Sequence, residues 1–290
     1  MNTSSPSRIS IIVPLYFRRP DAPGIPERFA AFFEQFRSQG CDDLEIFLSD
    51  SGPAQHQGHI EKVIDDCLLQ YPEYQEKVTY YYEVTGETPL SRGAAMNLGI
   101  QRTTGDILLF LHADCRLPVG GLSILVQLFQ EGVRGGGFLK RYTDKKTLSP
   151  LLVTEQYLNS LRTKWGRHLV GTNAIFLHRE LAEKHPYQGD FLEDVEMSDW
   201  MRAHIPKEQW GIIEAPMLVS AQKYYKLGVW RAIMVNASVM GFHRVFDVEP
   251  MTLKSELYHR SYSKNPAFWL EWGQTVFDLF RNRKKYKRQD

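Results

Sequence analysis

Four short apolar runs separated by three helical patterns constrain this chain more than any other feature of its first 112 residues. The runs Arg8 to Tyr16 (RISIIVPLY), Leu44 to Asp50 (LEIFLSD), Lys77 to Val84 (KVTYYYEV) and Gly105 to His112 (GDILLFLH) have strand length and β-branched or aromatic content. Between them, Pro26 to Gly40, about Gly58 to Gln70, and about Ser91 to Arg102 carry helical patterns. Strands that alternate with helices read as βαβ units, so the pattern predicts an α/β fold with a mostly parallel central sheet flanked by helices. The near-continuous apolar character of Ile9 to Val13 and Ile107 to Leu111 suits strands covered on both faces. Ligands of such sheets collect beyond the carboxyl ends of the strands. Those ends carry Pro-Leu-Tyr (14–16), Ser-Asp-Ser-Gly (49–52) and His-Ala-Asp-Cys (112–115), three polar tips expected to face one crevice.

Beyond Pro118 the pattern loosens. A helix to about Gln130, a glycine-rich segment RGGGFLKRY (Arg134 to Tyr142) and a helix from about Leu148 to Trp165 are expected. A strand LVGTNAIFLH (Leu169 to His178), a helix from about Glu193 to His204 and an apolar helix from Gly228 to Phe246 follow. With no repeat or low-complexity linker, the simplest division is one domain over residues 1–260 and a C-terminal helix with a basic tail over 261–290. The net charge of +1 gives no reason to expect a nucleic-acid partner. Three cysteines without a C-x-x-C pair suggest neither a disulfide framework nor a zinc ribbon. No apolar run approaches the roughly 18 to 20 residues of a membrane span, and a cytoplasmic location is the expectation.

Asp114 surfaces just after a fully apolar strand, and Asp50 ends another strand of the same sheet. A solvated strand end is one reading. The other is a hard oxygen ligand for Mg²⁺ or Mn²⁺, whose shell is usually completed by water and phosphate oxygens. His112, two residues earlier, falls on the same side as Asp114 if the strand persists that far, as a hydrogen-bonded histidine or a metal or phosphate contact. In FLEDVEMSDWMR (Phe191 to Arg202), Glu193 and Asp194 are adjacent, so on a helix they diverge by about 100° and do different jobs. Acids opening a helix complement its dipole, and one of them could also project into the crevice as a general base. The three glycines of RGGGFLKRY lack the G-K-[ST] ending of a phosphate loop and instead let another backbone or a bound sugar approach closely. No serine or cysteine nucleophile has a recognisable setting, and Cys115 is expected to be a packing residue.

With these residues in hand, the chain resembles family 2 glycosyltransferases, whose fold is the nucleotide-sugar-binding GT-A sandwich. SIIVPLYFRR, LEIFLSDSG, SRGAAMNLGIQRTTGDILLFLHADCRLP, FLEDVEMSDWMR and KLGVWRAIMVN carry the likeness, over about Arg8 to Arg260. His-Ala-Asp stands where most members have D-x-D, as in one subgroup. The resemblance implies a metal site at Asp114 with His112, a general base at Asp194, a nucleoside pocket at Pro14, Tyr16 and Asp50, and Arg92 and Asn97 on the helix beside it. It also places Lys223 near the diphosphate. The implied activity is inverting transfer of a sugar from a nucleotide-sugar donor to an acceptor hydroxyl, with Mg²⁺ or Mn²⁺. The departures are His112 for the first acid of D-x-D, Asp50-Ser51-Gly52-Pro53 for D-G-S-x-D, and Gly171-Thr172-Asn173 for Gly-Asp-Gln. They leave a non-catalytic nucleotide-binding or partner-binding relative as the alternative.

From Pro266 to Arg281 the pattern places Phe268, Trp269, Trp272, Val276, Leu279 and Phe280 on one helical face, with Glu271, Gln274, Thr275 and Asp278 opposite. A helix docked on the core is one reading. An interfacial helix at a membrane surface is the other, steered by RNRKKYKR and consistent with lipid-linked acceptors. Dimerisation through this helix is also open.

Overall fold

Strand β1 (Ile9–Leu15) is the spine of the sheet, and Ile9, Ile11, Ile12 and Val13 are fully buried, as its sequence predicts. The structure, a computed structural model, describes residues 8–17, 24–85, 88–143, 148–259 and 268–288. After β1 come α1 (Ile25–Glu34), β2 (Leu44–Asp50), α2 (Gln57–Leu68), β3 (Val78–Tyr82), a short ribbon β4 (Val84–Thr85) and β5 (Thr88–Pro89), α3 (Arg92–Arg102) and β6 (Ile107–Phe110). The chain continues through β7 (Cys115–Arg116), α4 (Gly121–Gln130), β8 (Gly135–Thr143), α5 (Pro150–Gly166), β9 (Phe176–His178), α6 (Arg179–Lys184), α7 (Glu193–His204) and β10 (Trp210–Ser220). Helices α8 (Gln222–Leu227), α9 (Val229–Phe246), α10 (Pro250–Leu253) and α11 (Phe268–Asn282) complete it.

The main sheet has eight strands in the order β3-β2-β1-β6-β9-β8-β10-β7. The first four are parallel, with Ile9 opposite both Leu44 and Ile107 and Leu15 opposite Asp50. The other half is not: β9 runs antiparallel to both β6 and β8, and β7 antiparallel to β10. The sheet is therefore mixed rather than mostly parallel. An apolar run reports that a strand is covered on both faces, whereas its direction depends on the path of the chain. One further expectation changes. Only Phe176–His178 of the Leu169 to His178 segment is strand, because residues 171–173 form a 3₁₀ turn and Ala174 takes a left-handed φ of 42°. The eleven-residue β10 was not among the expected strands: Gly211, Ile213, Met217 and Val219 alternate inward, but Trp210, Ile212 and Leu218 make the outward face apolar as well and blur the period.

The glycine run does what its composition suggests. A Cβ on Gly136 would lie 1.8 Å from the carbonyl oxygen of Gly211, so the backbones of β8 and β10 approach as only glycine permits. The core between sheet and helices gathers Ile12, Met96, Ile100, Leu108, Phe110, Leu177 and Met201. Each such side chain contributes about 1.5–3 kcal/mol when fully buried.

The chain divides into two compact units. The first comprises residues 1–142, 159–188 and 193–219, and the second 143–158, 189–192 and 220–290. The second has its own core, in which Val235, Val239 and Phe242 of α9 meet Leu253, Leu257, Phe268 and Leu279. Among the described residues no helix is long and apolar enough to cross a membrane.

At the amino end of the parallel strands, Glu45 of β2 gathers several donors. One carboxylate oxygen accepts from the Ser10 hydroxyl at 2.8 Å, the Thr104 N–H at 2.6 Å and the Gly105 N–H at 2.8 Å. Burial alone would push this carboxyl up, but these bonds and Arg8 more than offset it and hold it below its ordinary value. A carboxylate whose folded pKa is depressed adds stability above its unfolded pKa of about 4.3, and that stability is lost as pH falls through the folded value. Glu45→Gln is expected to lower unfolding stability by about 1–3 kcal/mol at neutral pH, with the gap to the wild type closing on acidification. Urea unfolding of both proteins across that range checks it.

Candidate active site

Two helix N-termini deliver the charged groups of the site. Ser91 caps α3 by accepting the Ala94 N–H at 3.2 Å, which fixes Arg92 in the first turn. Helix α7 opens with Glu193 and Asp194, both buried, where acids also complement the helix dipole. The preceding Leu192 takes a left-handed φ of 61°, a conformation that costs a non-glycine residue about 1–3 kcal/mol. Arg92 donates through Nε to Glu193, and another guanidinium nitrogen lies 3.5 Å from Asp194 Oδ2. Asp194 Oδ2 also accepts the Gly171 N–H, while its Oδ1 accepts the Val195 N–H at 2.9 Å. The adjacent acids therefore divide their work: Glu193 anchors Arg92, and Asp194 lines a cleft.

That cleft is lined by Pro14, Arg92, Met96, Phe110, Leu111, His112, Gly171, Ile175, Tyr187 and Asp194. Burial would lower the Arg92 guanidinium, but Asp194 and Glu193 outweigh it and hold the charge firmly. His112 is pushed the other way, down to about 4, first by burial and then by Arg92, against the opposing pull of Asp114 and Asp194. Its imidazole is thus neutral at physiological pH. Tyr187 is raised well above an ordinary phenol by burial and by Asp194 and Glu193, and so keeps its proton. Both ends of the Asn97 amide are committed to the Tyr187 backbone, donating to its carbonyl at 2.9 Å and accepting from its N–H at 2.8 Å. Asn97 therefore holds Tyr187 in place.

The other expected residues fall as follows. Strand β6 ends at Phe110, and the Cys115 N–H donates to the His112 carbonyl at 3.0 Å, closing a turn. Strand alternation therefore does not relate His112 to Asp114. Asp114 is exposed on this turn, and its charge still acts on His112. Asp50 is buried one strand away from Pro14 and is not among the cleft residues. It accepts from the Gly52 N–H and the Tyr80 hydroxyl, both at 2.8 Å. Burial raises its carboxyl, partly offset by those two bonds. Tyr16 is exposed just beyond β1. Lys223 lies on α8, and its side chain is outside the described residues.

Two contributors escaped sequence reasoning. Lys140 of β8 is buried, with Nζ 3.1 Å from the Thr172 hydroxyl, and its charge reaches Cys115 beside Asp114. The signal was present in RGGGFLKRY, where Phe138, Lys140 and Tyr142 alternate inward. Tyr187 sits in an irregular segment that nothing in the pattern marks. Cys115 is fully buried, and burial raises its thiol, in keeping with a packing role. Among the described residues no group of three or more His, Cys, Asp or Glu side chains is placed to hold a metal ion. Neutral His112 and the Asp114 carboxylate do supply two donors, a set that suits a divalent ion whose other ligands are phosphate and water.

A half-parallel sheet with an acid-bearing cleft beyond its strand ends is where α/β folds of this kind bind their ligands. The sequence pattern of the family described as "Glycosyl transferase family 2" matches residues 10–185, and the chain belongs to that family as a glycosyltransferase. Comparison with curated proteins gives no match. Among solved structures, the chain is similar to the mannosyltransferase PcManGT from Pyrobaculum calidifontis in complex with GDP-Man and Mn²⁺, with a TM-score of 0.54 and 18% identity, over 97% of this chain and 76% of that one. It is also similar to S. aureus TarS 1-349 in complex with UDP, with a TM-score of 0.54 and 16% identity, over 95% of this chain and 78% of that one. The complex of that TarS fragment with UDP-GlcNAc gives a TM-score of 0.52 and 14% identity, over 94% and 81%. At these identities the likeness concerns the fold, which is of the GT-A type.

Gly171 is where the charged side chains close on the backbone. A Cβ there would lie 2.8 Å from His112 Nε2 and 2.9 Å from Asp194 Oδ2. Both are tips of side chains that can swing aside, so Gly171→Ala should fold normally but displace them. With misplacements of order 1 Å costing about 100-fold, transfer is expected to fall at least tenfold while the thermal midpoint moves little. Steady-state kinetics beside a melting curve tests this.

Proposed function

We propose that the chain is an inverting glycosyltransferase that moves a sugar from a nucleotide-sugar donor to an acceptor hydroxyl, with Asp194 as general base. The observation that carries this reading is Asp194 itself: a buried carboxylate on the cleft, oriented by two backbone N–H groups and flanked by a fixed guanidinium and a neutral imidazole. In the proposed reaction, Asp194 takes the proton from the acceptor hydroxyl as its oxygen attacks the anomeric carbon. The bond to the nucleoside diphosphate breaks on the opposite face, which inverts the configuration. Arg92 keeps its charge throughout and stabilises the carboxylate before the proton arrives.

Pro14, Tyr16 and Asp50 are assigned to the nucleoside end of the donor, with Asn97 acting through Tyr187. Lys223 is assigned to the diphosphate, and the buried ammonium of Lys140 adds positive potential beside the Asp114 turn. His112 and Asp114 would hold the Mg²⁺ or Mn²⁺. When bound, that ion supplies Lewis-acid stabilisation of the leaving diphosphate. GDP-Man with Mn²⁺ and UDP-GlcNAc in the complexes of the structural neighbours support a donor of this class.

A second reading, a nucleotide-binding protein without turnover, draws on the engagement of both Asp194 oxygens by N–H groups. The base assignment separates the two. Asp194→Asn is expected to lower transfer by about 10²–10⁴ while nucleotide affinity, measured by calorimetry, stays within a few fold. Retention of most of the rate refutes the assignment, and a wild type that binds donor yet neither transfers nor slowly hydrolyses it selects the binding reading. Asp114→Ala should weaken nucleoside diphosphate binding about tenfold or more in Mn²⁺ and little in EDTA, as titrations under both conditions will show.

A further inference from the structure

Helix α11 has two apolar faces, and the second unit uses one of them. Phe268 and Leu279 are buried in its core, with Trp272 and Val276 packed against it and Thr275 buried between them. The packed face is thus rotated from the one the sequence suggested, which had placed Thr275 on the polar side. Left outside are Trp269 at 45% exposure, Leu270 at 79%, Phe277 at 58% and Phe280 at 47%. At about 100° per residue these four fall on one arc roughly 100° wide, with Gly273 between them and Glu271, Gln274 and Asp278 off to one side. Scattered exposed apolar residues are ordinary, but four large ones aligned on one helix face mark a contact surface.

The sequence that follows says what covers it. Residues 281–288 hold six basic side chains and no acid. They are ordered rather than trailing: the Arg288 N–H donates to the Asp247 carbonyl at 3.0 Å, and the Glu249 N–H to the Tyr286 carbonyl at 2.9 Å. The Phe280 ring packs edge-on against Phe246 and the Arg283 guanidinium lies 4.5 Å from it, so the cationic segment begins at the half-exposed end of the aromatic stripe. A second copy of this chain would bring another six basic side chains to the contact, whereas an anionic lipid surface complements both the apolar stripe and the charge. Nucleic acid would leave the apolar stripe without a partner.

We infer that this face of α11 docks on an anionic lipid surface, with Trp269, Leu270, Phe277 and Phe280 entering the headgroup boundary and the 281–288 segment meeting lipid phosphates. The inference is independent of the sugar-transfer reading, and either can fail alone. The test is sedimentation of the full chain with vesicles of phosphatidylcholine alone and of phosphatidylcholine mixed with phosphatidylglycerol. The wild type should bind the anionic vesicles at least tenfold more tightly than the neutral ones, with affinity falling steeply as salt rises. The double substitution Leu270→Glu and Phe277→Glu, at exposed positions, should cut that binding at least tenfold while circular dichroism and the thermal midpoint are unchanged. Absence of binding by the wild type, equal binding to neutral vesicles, or undiminished binding by the double variant overturns the inference. A wild-type dimer in solution that the double variant dissolves, without vesicle binding, does so too and assigns the face to self-association.

Discussion

Arg92 ties together parts of the chain that are about a hundred positions apart in sequence. Its guanidinium reaches from the first turn of α3 to both acids that open α7, and Asp194 reaches on to the Gly171 N–H. Two adjacent buried carboxylates would be costly without a cation, and removing one partner of a buried ion pair typically costs about 3–5 kcal/mol. Arg92 is partly open to solvent, so its worth in stability lies below that range. What it secures is position: α7 must start where α3 starts, and a carboxylate must point into the cleft between them.

The same arrangement sets the protonation of its neighbours. With Arg92 charged, a half-buried imidazole beside it stays neutral, and a buried phenol beside two carboxylates stays protonated. His112 is therefore suited to donate a lone pair rather than a positive charge. Asp50 belongs to a separate polar cluster with Tyr80 and Gly52 at the end of the neighbouring strand.

The second unit follows a different logic. Its core is assembled from helices whose inner faces are apolar, and α11 spends only part of its hydrophobic residues there. Phe268, Trp272, Val276 and Leu279 pack on the core of the second unit, while Trp269, Leu270, Phe277 and Phe280 form an exposed arc beside them on the same helix.

The sequence alone determined the elements whose period and punctuation are local. Strand β2 and helix α7 have the predicted limits, and the glycine run is indeed a site of close backbone approach. Asp194 was visible as an acid opening a helix, and His112 as a strand-end histidine, because burial and capping are written in neighbouring residues. The direction of the strands after β6, the 3₁₀ turn that presents Gly171, the contact of Lys140 with Thr172 and the clamp of Asn97 on Tyr187 were decided only by the tertiary structure. Each joins segments roughly 30 to 90 positions apart, and the periodicity of a segment reports which side is buried, not which distant partner covers it.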